Sequence, residues 1–255
     1  MTASAGIPDR LQPGALADLA PCALSAYFLD VDGTLLEIQP HPEDVAADDT
    51  LLRLLADLAA AAHGALALVS GRALADIDRI FAPLTFCAAG LHGAEIRFPD
   101  GSRTCGDRHA MDCVRPQVAG FVEAHPGLRL EDKGAALAVH FRQAPGLGQR
   151  VLEFLHPLAQ KSGLAVQQGK LVAELKETHH NKATAIAALL ERAPFSGRTP
   201  VLMGDDLTDE YGFSFVNAHG GISVRAGEAT ASAASYCLPG PPAVRTELCK
   251  LLQSR

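Results

Sequence analysis

The stretch from Phe28 to Leu35 reads FLDVDGTL and puts two carboxylates, Asp30 and Asp32, directly after a short apolar run. A second acidic stretch, GDDLTDE at residues 204–210, follows another apolar run at 200–203. Both runs have the length and composition of buried strands. Carboxylates at the ends of two strands can share one hard cation and can leave an oxygen free for covalent chemistry on a phosphoryl group. The pairing indicates a metal-dependent enzyme that acts on a phosphate.

Composition and charge are those of an ordinary globular protein. Of the 255 residues, 48% are apolar and 20% are charged, and the net charge is -7. This charge argues against a nucleic-acid partner, since such binding needs a basic surface. The most apolar stretch, residues 58–69, contains His63 and Gly64 and is too short to cross a bilayer, so we expect no membrane partner.

The N-terminal residues lack the pattern of a secretory signal peptide, because Asp9, Arg10 and Pro13 interrupt any apolar run. The six cysteines form no C-x-x-C pair and are expected to be reduced thiols, with neither a disulfide frame nor a zinc site. We therefore expect a cytoplasmic protein. A monomer is also expected.

Strand-like runs alternate with helical patterns along most of the chain. Apolar runs at 26–29, 65–69, 85–89 and 200–203 predict strands, and leucines spaced as in Leu51, Leu54, Leu55 and Leu58 predict an amphipathic helix that begins near Asp48. This alternation predicts an α/β fold with a doubly wound, Rossmann-like parallel sheet.

Domain organisation follows from a change of pattern in the middle of the chain, where short strands surround one or two helices. We expect residues 108–176 to form a small inserted α+β cap domain, and residues 23–107 and 177–255 to form the catalytic core. Residues 1–22, rich in Ala, Pro and Gly, are expected to be a loosely ordered lead-in.

The Asp30 motif has three interpretations. Asp-Gly is often simply a turn. A calcium loop would need Gly at its sixth position and an acid at its twelfth, whereas Leu35 and His41 stand there. The functional interpretation is a nucleophilic Asp30 with Asp32 as general acid and base, since the carboxyl ends of parallel strands face the ligand crevice.

Two further segments could bind an anion. Ser70, Gly71 and Arg72 follow a predicted strand, and a hydroxyl with backbone N–H groups at a helix start is an anion site. Lys182 opens a predicted helix behind Asn181, a residue suited to the N-cap. Taken singly, each has a plain alternative: a turn for the first segment and a solvated surface lysine for the second.

In order along the chain, the aspartate motif, Ser70, Lys182 and the acidic stretch at 204–210 resemble the four motifs of the haloacid dehalogenase superfamily of phosphatases. Longer strings, GLHGAE at 90–95, EDKG at 131–134 and AVHFR at 138–142, resemble those of the trehalose-phosphate phosphatases. The similarity spans about residues 26 to 240. It implies a haloacid dehalogenase-type core with a cap that recognises the sugar.

The resemblance also implies a role for each matching residue. Asp30 would form an aspartyl-phosphate and Asp32 would act as acid and then base. Mg²⁺ would be held by Asp30, Asp205 and the backbone carbonyl of Asp32. The phosphoryl group would be bound by Thr34, Ser70, Gly71, Arg72 and Lys182, with Asp206 and Asp209 orienting the metal or the lysine. The sugar would contact Glu131, Lys133 and Glu174, supported by His92 and Arg142.

These expectations amount to a Mg²⁺-dependent phosphomonoesterase whose partner is a small-molecule sugar phosphate, trehalose 6-phosphate. The mechanism also implies closure of the cap, with hinges near residues 107 and 177. Three alternatives stay open at this point: the same chemistry on sucrose phosphate or a hexose phosphate, a phosphomutase, and a non-catalytic binding domain on the same fold.

Overall fold

The computed structural model describes residues 6–39, 41–106, 109–169 and 171–254, and it divides into two compact units. Unit 1 comprises Met1–Arg103 and Asn181–Arg255, and unit 2 comprises Thr104–His180. The expected domain boundary and hinge at residues 107 and 108 lie outside the described residues. The second junction falls at 180/181, a few residues after the expected one at 176/177.

The elements, in chain order, are β1 (Asp9–Arg10), α1 (Ala15–Leu19), β2 (Ser25–Leu29), α2 (Asp49–Ala61), β3 (Leu66–Val69), α3 (Leu74–Ile80), β4 (Cys87–Gly90), β5 (Glu95–Arg97), β6 (Arg103–Cys105), α4 (His109–Glu123), β7 (Arg129–Asp132), β8 (Ala136–His140), α5 (Gly148–Ser162), β9 (Leu164–Gly169), β10 (Val172–Glu177), α6 (Lys182–Leu190), β11 (Thr199–Gly204), α7 (Asp209–Ala218), β12 (Ile222–Ala226), β13 (Tyr236–Leu238) and α8 (Pro241–Gln253). Short 3₁₀ helices occur at Pro42–Asp44, Leu91–Gly93 and Pro145–Leu147.

The larger sheet has the strand order β1-β13-β12-β11-β2-β3-β4-β5-β6 and is parallel from β1 to β4. Strand β5 pairs antiparallel with β4. The strand order reverses at β2, because the chain continues to β3 on one side while β11 lies on the other. Ligands of doubly wound sheets bind at the carboxyl ends of the strands beside such a reversal. The predicted α/β fold is confirmed.

The predicted helices begin at the capping residues that the sequence indicated. Helix α2 begins after Asp48, whose side chain accepts a hydrogen bond from the backbone N–H of Leu51, and buries Leu51, Leu55 and Leu58. Helix α6 begins after Asn181 with a reciprocal capping box. The six cysteines are free in the structure. No helix in the described ranges combines the length and apolar character that crossing a bilayer requires.

The segment before β2 differs from the expected lead-in over its described part, residues 6–22. Strand β1 pairs in parallel with β13. The buried carboxylate of Glu247, on α8, accepts hydrogen bonds from the backbone N–H groups of Gly14 and Leu16. Leu16 is fully buried. This order depends on partners more than 200 residues away in sequence, which local composition does not reveal.

Unit 2 contains an antiparallel sheet of strand order β7-β8-β10-β9, packed on α4 and α5 through its own apolar core. The α+β character was predicted from short strands around one or two helices. Helix α4 was not predicted, since Pro116 and Gly120 lie inside it and weaken the helical signal.

Candidate active site

Asp30 and Asp205 lie side by side because their strands are neighbours in the sheet. Asp30 follows β2, Asp205 follows β11, and Leu29 is paired with Met203. The backbone N–H of Asp30 donates to the carbonyl of Met203 at 3.0 Å. The two acidic motifs, 175 positions apart in the sequence, therefore reach one edge of the sheet.

Gly33 makes room for the Asp205 carboxylate. Its φ of +78° lies in the left-handed region, and a Cβ placed on it would stand 2.1 Å from Oδ2 of Asp205. A side chain at this position would meet backbone strain and a direct clash with a carboxylate of the site. The glycine of the motif is thus needed for the two acidic loops to approach each other.

Lys182 is the cation of the cluster. It is the first residue of α6 and is only 1% exposed. Its Nζ lies 2.8 Å from Oδ1 of Asp30 and 2.7 Å from Oδ1 of Asp209. The alternative of a solvated surface lysine is wrong, since the ammonium is buried between two carboxylates.

Asp209 joins the lysine to the acidic loop. Its Oδ2 accepts hydrogen bonds from the backbone N–H groups of Asp205 at 3.1 Å and Asp206 at 3.2 Å, while Oδ1 faces Lys182. Its carboxyl carbon lies 2.1 Å from where a Cβ of Gly204 would be. Asp206 uses its Oδ1 within the loop, where it accepts from the backbone N–H and the hydroxyl of Thr208.

Burial and mutual repulsion act on the ionisation of this cluster. Burial raises the pKa of Asp30 to about 7 against the opposing charge of Lys182, and burial together with Asp206 and Asp209 raises the pKa of Asp205 to about 6. Burial alone would lower the pKa of Lys182, but Asp209 and Asp30 outweigh it and raise that pKa. The lysine is therefore charged, and the carboxylates would be stabilised by a further cation.

Oxygen atoms of Asp30, Asp205 and Asp209 all lie within 4.8 Å of one another. Carboxylate oxygens are the ligands of hard divalent cations such as Mg²⁺, so the donor set fits the expected metal. The expected set was Asp30, Asp205 and the backbone carbonyl of Asp32. Both oxygens of Asp209 already accept hydrogen bonds, which favours Asp30 and Asp205 as the side-chain ligands.

Arg72 contacts Asp32 in the structure, although we expected it to bind phosphate. Its Nε and Nη2 donate to Oδ2 and Oδ1 of Asp32 at 2.6 and 2.7 Å. This two-point contact fixes the plane of the carboxylate. The backbone N–H of Arg72 donates to Oγ of Ser70 at 3.1 Å, so the Ser70 hydroxyl, which is almost fully buried, lies in the same loop.

His92 lies against this loop in unit 1, not in the cap. A Cβ on Gly71 would stand 2.7 Å from Cε1 of His92, and the backbone N–H of His92 donates to the carbonyl of Ser70. Leu91 and His92 both have positive φ, at 49° and 56°. Left-handed backbone at consecutive non-glycine residues is costly and is concentrated at functional sites. The sequence string predicted His92 as a site residue but gave no sign of this conformation.

Thr34 is fully buried, and its hydroxyl has no hydrogen-bond partner within the described part of the chain. A buried polar atom without a partner costs free energy. The expected contact of Thr34 with a phosphoryl oxygen stays a prediction, and this hydroxyl is the group that would make it.

Of the expected sugar-binding residues of unit 2, Glu131 and Glu174 lie on one sheet. Lys133 lies in the turn between β7 and β8, and Arg142 is exposed in the turn after β8. Glu131 on β7 and Glu174 on β10 are both paired with Ala138 of the strand between them. Nζ of Lys133 lies 3.4 Å from Oε1 of Glu174. Nε2 of His140 lies 2.7 Å from Oε2 of Glu131. His140 was not among the predicted site residues, although it is part of the AVHFR string.

Comparison with known proteins gives consistent similarities. A family model for trehalose-phosphatase matches residues 28–242. The chain is 45% identical over 223 residues to the trehalose-6-phosphate phosphatase of Escherichia coli (strain K12), covering 86% of this chain and 83% of that protein. It is similar to the crystal structure of a trehalose-6-phosphate phosphatase related protein, with a TM-score of 0.75, 26% identity, and coverage of 90% and 97%. A phosphatase of the HAD superfamily from Bacteroides thetaiotaomicron shares the fold, with a TM-score of 0.58, 20% identity, and coverage of 94% and 96%.

The parallel sheet brings both aspartate motifs and the buried Lys182 to one edge, in the fold that the chain shares with that phosphatase of the HAD superfamily. The chain belongs to the trehalose-phosphatase family. Of the alternatives that the sequence left open, neither a phosphatase of another sugar phosphate nor a non-catalytic domain is favoured by these similarities.

Proposed function

We propose that this protein hydrolyses trehalose 6-phosphate to trehalose and phosphate, and that Asp30 carries the phosphoryl group between two steps. The observation that supports this most directly is the contact of Asp30 with the buried Lys182 ammonium, beside Asp205 at the carboxyl edge of the sheet. The substrate follows from the family match and from the 45% identical relative named for trehalose 6-phosphate.

In the first step, a carboxylate oxygen of Asp30 attacks phosphorus and the bond from phosphorus to the sugar oxygen breaks. Asp32 gives its proton to the departing sugar oxygen. In the structure Arg72 donates to both oxygens of the Asp32 carboxylate, so Asp32 has to give up one of these contacts and take up a proton before it can act as the acid. Lys182 offsets the negative charge that accumulates on the phosphoryl oxygens, with the Ser70 hydroxyl as a further donor.

In the second step, a water molecule attacks the aspartyl-phosphate and the bond from phosphorus to Asp30 breaks. Asp32 now takes the proton of that water, which returns both carboxyl groups to their starting states. Asp209 takes no part in either bond change. It holds Lys182 and the backbone at Asp205 in place through its two oxygens.

We further propose Mg²⁺ as the cofactor, held by Asp30 and Asp205 with the backbone carbonyl of Asp32. When bound, the cation supplies positive charge beside the phosphoryl oxygens and helps to orient the nucleophile. The raised pKa values of Asp30 and Asp205 support this assignment, since a cation would keep both carboxylates ionised at neutral pH.

The experiment is phosphate release from a panel of sugar phosphates, with Mg²⁺ and with chelator. We expect a strong preference for trehalose 6-phosphate, loss of activity with chelator, and restoration by Mg²⁺. Asp30→Asn should abolish turnover of every substrate, whereas Glu131→Gln should reduce turnover of trehalose 6-phosphate and spare a small aryl phosphate. A parent-like rate in Asp30→Asn would contradict the covalent mechanism, and equal activity across the panel would contradict the sugar assignment.

A further inference from the structure

We propose that His140 is a positioning residue for sugar binding: it fixes the Glu131 carboxylate in the orientation that accepts a sugar hydroxyl. The inference rests on the proposed function and adds a residue that neither the motifs nor the family match assigned. It is carried by a contact inside unit 2, between two side chains on neighbouring strands of one sheet.

The register of β7 and β8 places the two residues diagonally across the strand pair. Glu131 is paired with Ala138, and His140 is paired with Arg129. Diagonal neighbours in antiparallel pairs lie within reach of long and aromatic side chains. Nε2 of His140 accordingly lies 2.7 Å from Oε2 of Glu131.

Both side chains project from the sheet face that is opposite the core of unit 2. The alternate residues Leu137 and Val139 of β8 belong to that core, together with residues of α4 and α5. Since successive side chains of a strand point to opposite faces, Ala138 and His140 share the face that carries Glu131. The small Ala138 side chain separates Glu131 from Glu174 in this row.

Glu131 and Glu174, the two carboxylates on this face of the sheet, each have one donor from within unit 2. Lys133 contacts Glu174 at 3.4 Å, and His140 contacts Glu131 at 2.7 Å. The shorter contact engages Oε2 of Glu131, whereas Oε1 has no hydrogen-bond partner within the described residues. One oxygen is thus anchored and the other is left to accept a hydroxyl proton.

The ionisation of Glu131 agrees with this role. The hydrogen bond from His140 is the largest influence and holds the pKa of Glu131 below its ordinary value, while partial burial opposes it and the charges of Lys133 and Arg129 assist. An ionised carboxylate accepts hydrogen bonds on both oxygens. Anchoring one oxygen removes rotamer freedom before the sugar binds, so less ordering remains to be done on binding.

The test compares substitutions that differ in their ability to reach Glu131. In His140→Phe a ring of similar size has no donor. In His140→Gln the side-chain N–H₂ group stands near the position of Nε2, and in His140→Asn it ends about one bond short. His156→Phe is the matched control, because His156 is exposed on α5 of the same unit.

Loss of the anchor should raise KM for trehalose 6-phosphate about 3- to 10-fold, the range that corresponds to ordering one long side chain. We expect this rise in His140→Phe and His140→Asn, with kcat within about 2-fold of the parent. His140→Gln should restore most of the parental KM. The kcat/KM for p-nitrophenyl phosphate should be unchanged in all variants, and His156→Phe should behave as the parent.

A parallel series in the Glu131→Gln background separates positioning from other roles. There His140→Phe should raise KM less than 2-fold, since the carboxylate it positions is gone. The proposal is overturned by an unchanged KM in both His140→Phe and His140→Asn, by equal losses on the aryl phosphate, or by failure of His140→Gln to restore KM. If His140→Phe does not fold, the comparison of Gln with Asn decides. A parent enzyme without preference for trehalose 6-phosphate would instead contradict the proposed function.

Discussion

Asp209→Asn is the substitution that tests most of the active-site geometry at once. The carboxylate accepts on both sides, from Lys182 at Oδ1 and from the backbone N–H groups of Asp205 and Asp206 at Oδ2. An asparagine has one acceptor and one donor end. Whichever way its amide is turned, N–H₂ faces either the ammonium or the two backbone N–H groups.

The expected loss in the free energy of unfolding follows from these contacts. Leaving buried donors unpaired costs about 1–3 kcal/mol, and breaking a buried ion pair costs about 3–5 kcal/mol when no partner remains. Here Asp30 still contacts Lys182 at 2.8 Å. We therefore expect a destabilisation of about 2–4 kcal/mol. At about 2–4 °C per kcal/mol for a domain of this size, the melting temperature should fall by about 5–15 °C.

The assay combines thermal unfolding, followed by circular dichroism, with steady-state phosphate release at several Mg²⁺ concentrations. We expect kcat to fall about 100-fold or more, because Lys182 loses one of the two groups that orient it. The Mg²⁺ concentration for half-maximal activity should change less than about 10-fold, since Asp30 and Asp205 remain as ligands. Asp57→Asn, on the exposed side of α2, is the control and should match the parent.

Two results would refute this reasoning. A melting temperature within about 2 °C of that of the parent would show that Asp209 does not hold the loop. A loss confined to Mg²⁺ affinity, with kcat preserved at saturating Mg²⁺, would make Asp209 a metal ligand and not a positioning group.

Two further substitutions test the close approach of the two acidic loops at Gly33 and the cap of helix α2 at Asp48. Gly33→Ala should lower kcat about 100-fold or more, because the new Cβ would collide with the Asp205 carboxylate and φ is +78°; parent-like kinetics would show that the two loops can separate without loss. Asp48→Ala should destabilise α2 by about 1 kcal/mol in urea unfolding, and Asp48→Asn by less, since asparagine also caps. The Leu51 amide and Arg245 lower the folded-state pKa of Asp48. The stabilisation is therefore present above the unfolded pKa of about 4 and is lost as pH falls through the lower folded value, so the difference between parent and Asp48→Ala should narrow only below about pH 4.

The predictable part of the site came from positions where local sequence decides geometry. A carboxylate that directly follows a buried strand has to emerge at the carboxyl edge of the sheet, so Asp30 and Asp205 could be placed together before their strands were known to be neighbours. Lys182 could be placed at a helix start because Asn181 is a strong N-cap.

Contacts between side chains and loops that are far apart in the sequence could not be predicted in the same way. The contact of Arg72 with Asp32 joins residues 40 positions apart whose loops meet only after β2 and β3 pair. The docking of the N-terminal segment on Glu247 spans more than 200 positions. Neither contact has a periodicity or a spacing that marks it, since both depend on how distant elements pack.

The charge balance of the cluster shows why its members depend on one another. Asp30, Asp205 and Asp209 bring three carboxylates within 4.8 Å, and Lys182 is the buried ammonium that contacts two of them. If all three are ionised, two negative charges remain in excess, which a divalent cation would balance. A phosphate group that then enters adds negative charge beside the carboxylate that must attack it, so the cation and the lysine have to be in place first. The order of binding should therefore be metal before substrate, and initial rates at varied Mg²⁺ and substrate would contradict this if the substrate bound equally well to the metal-free protein.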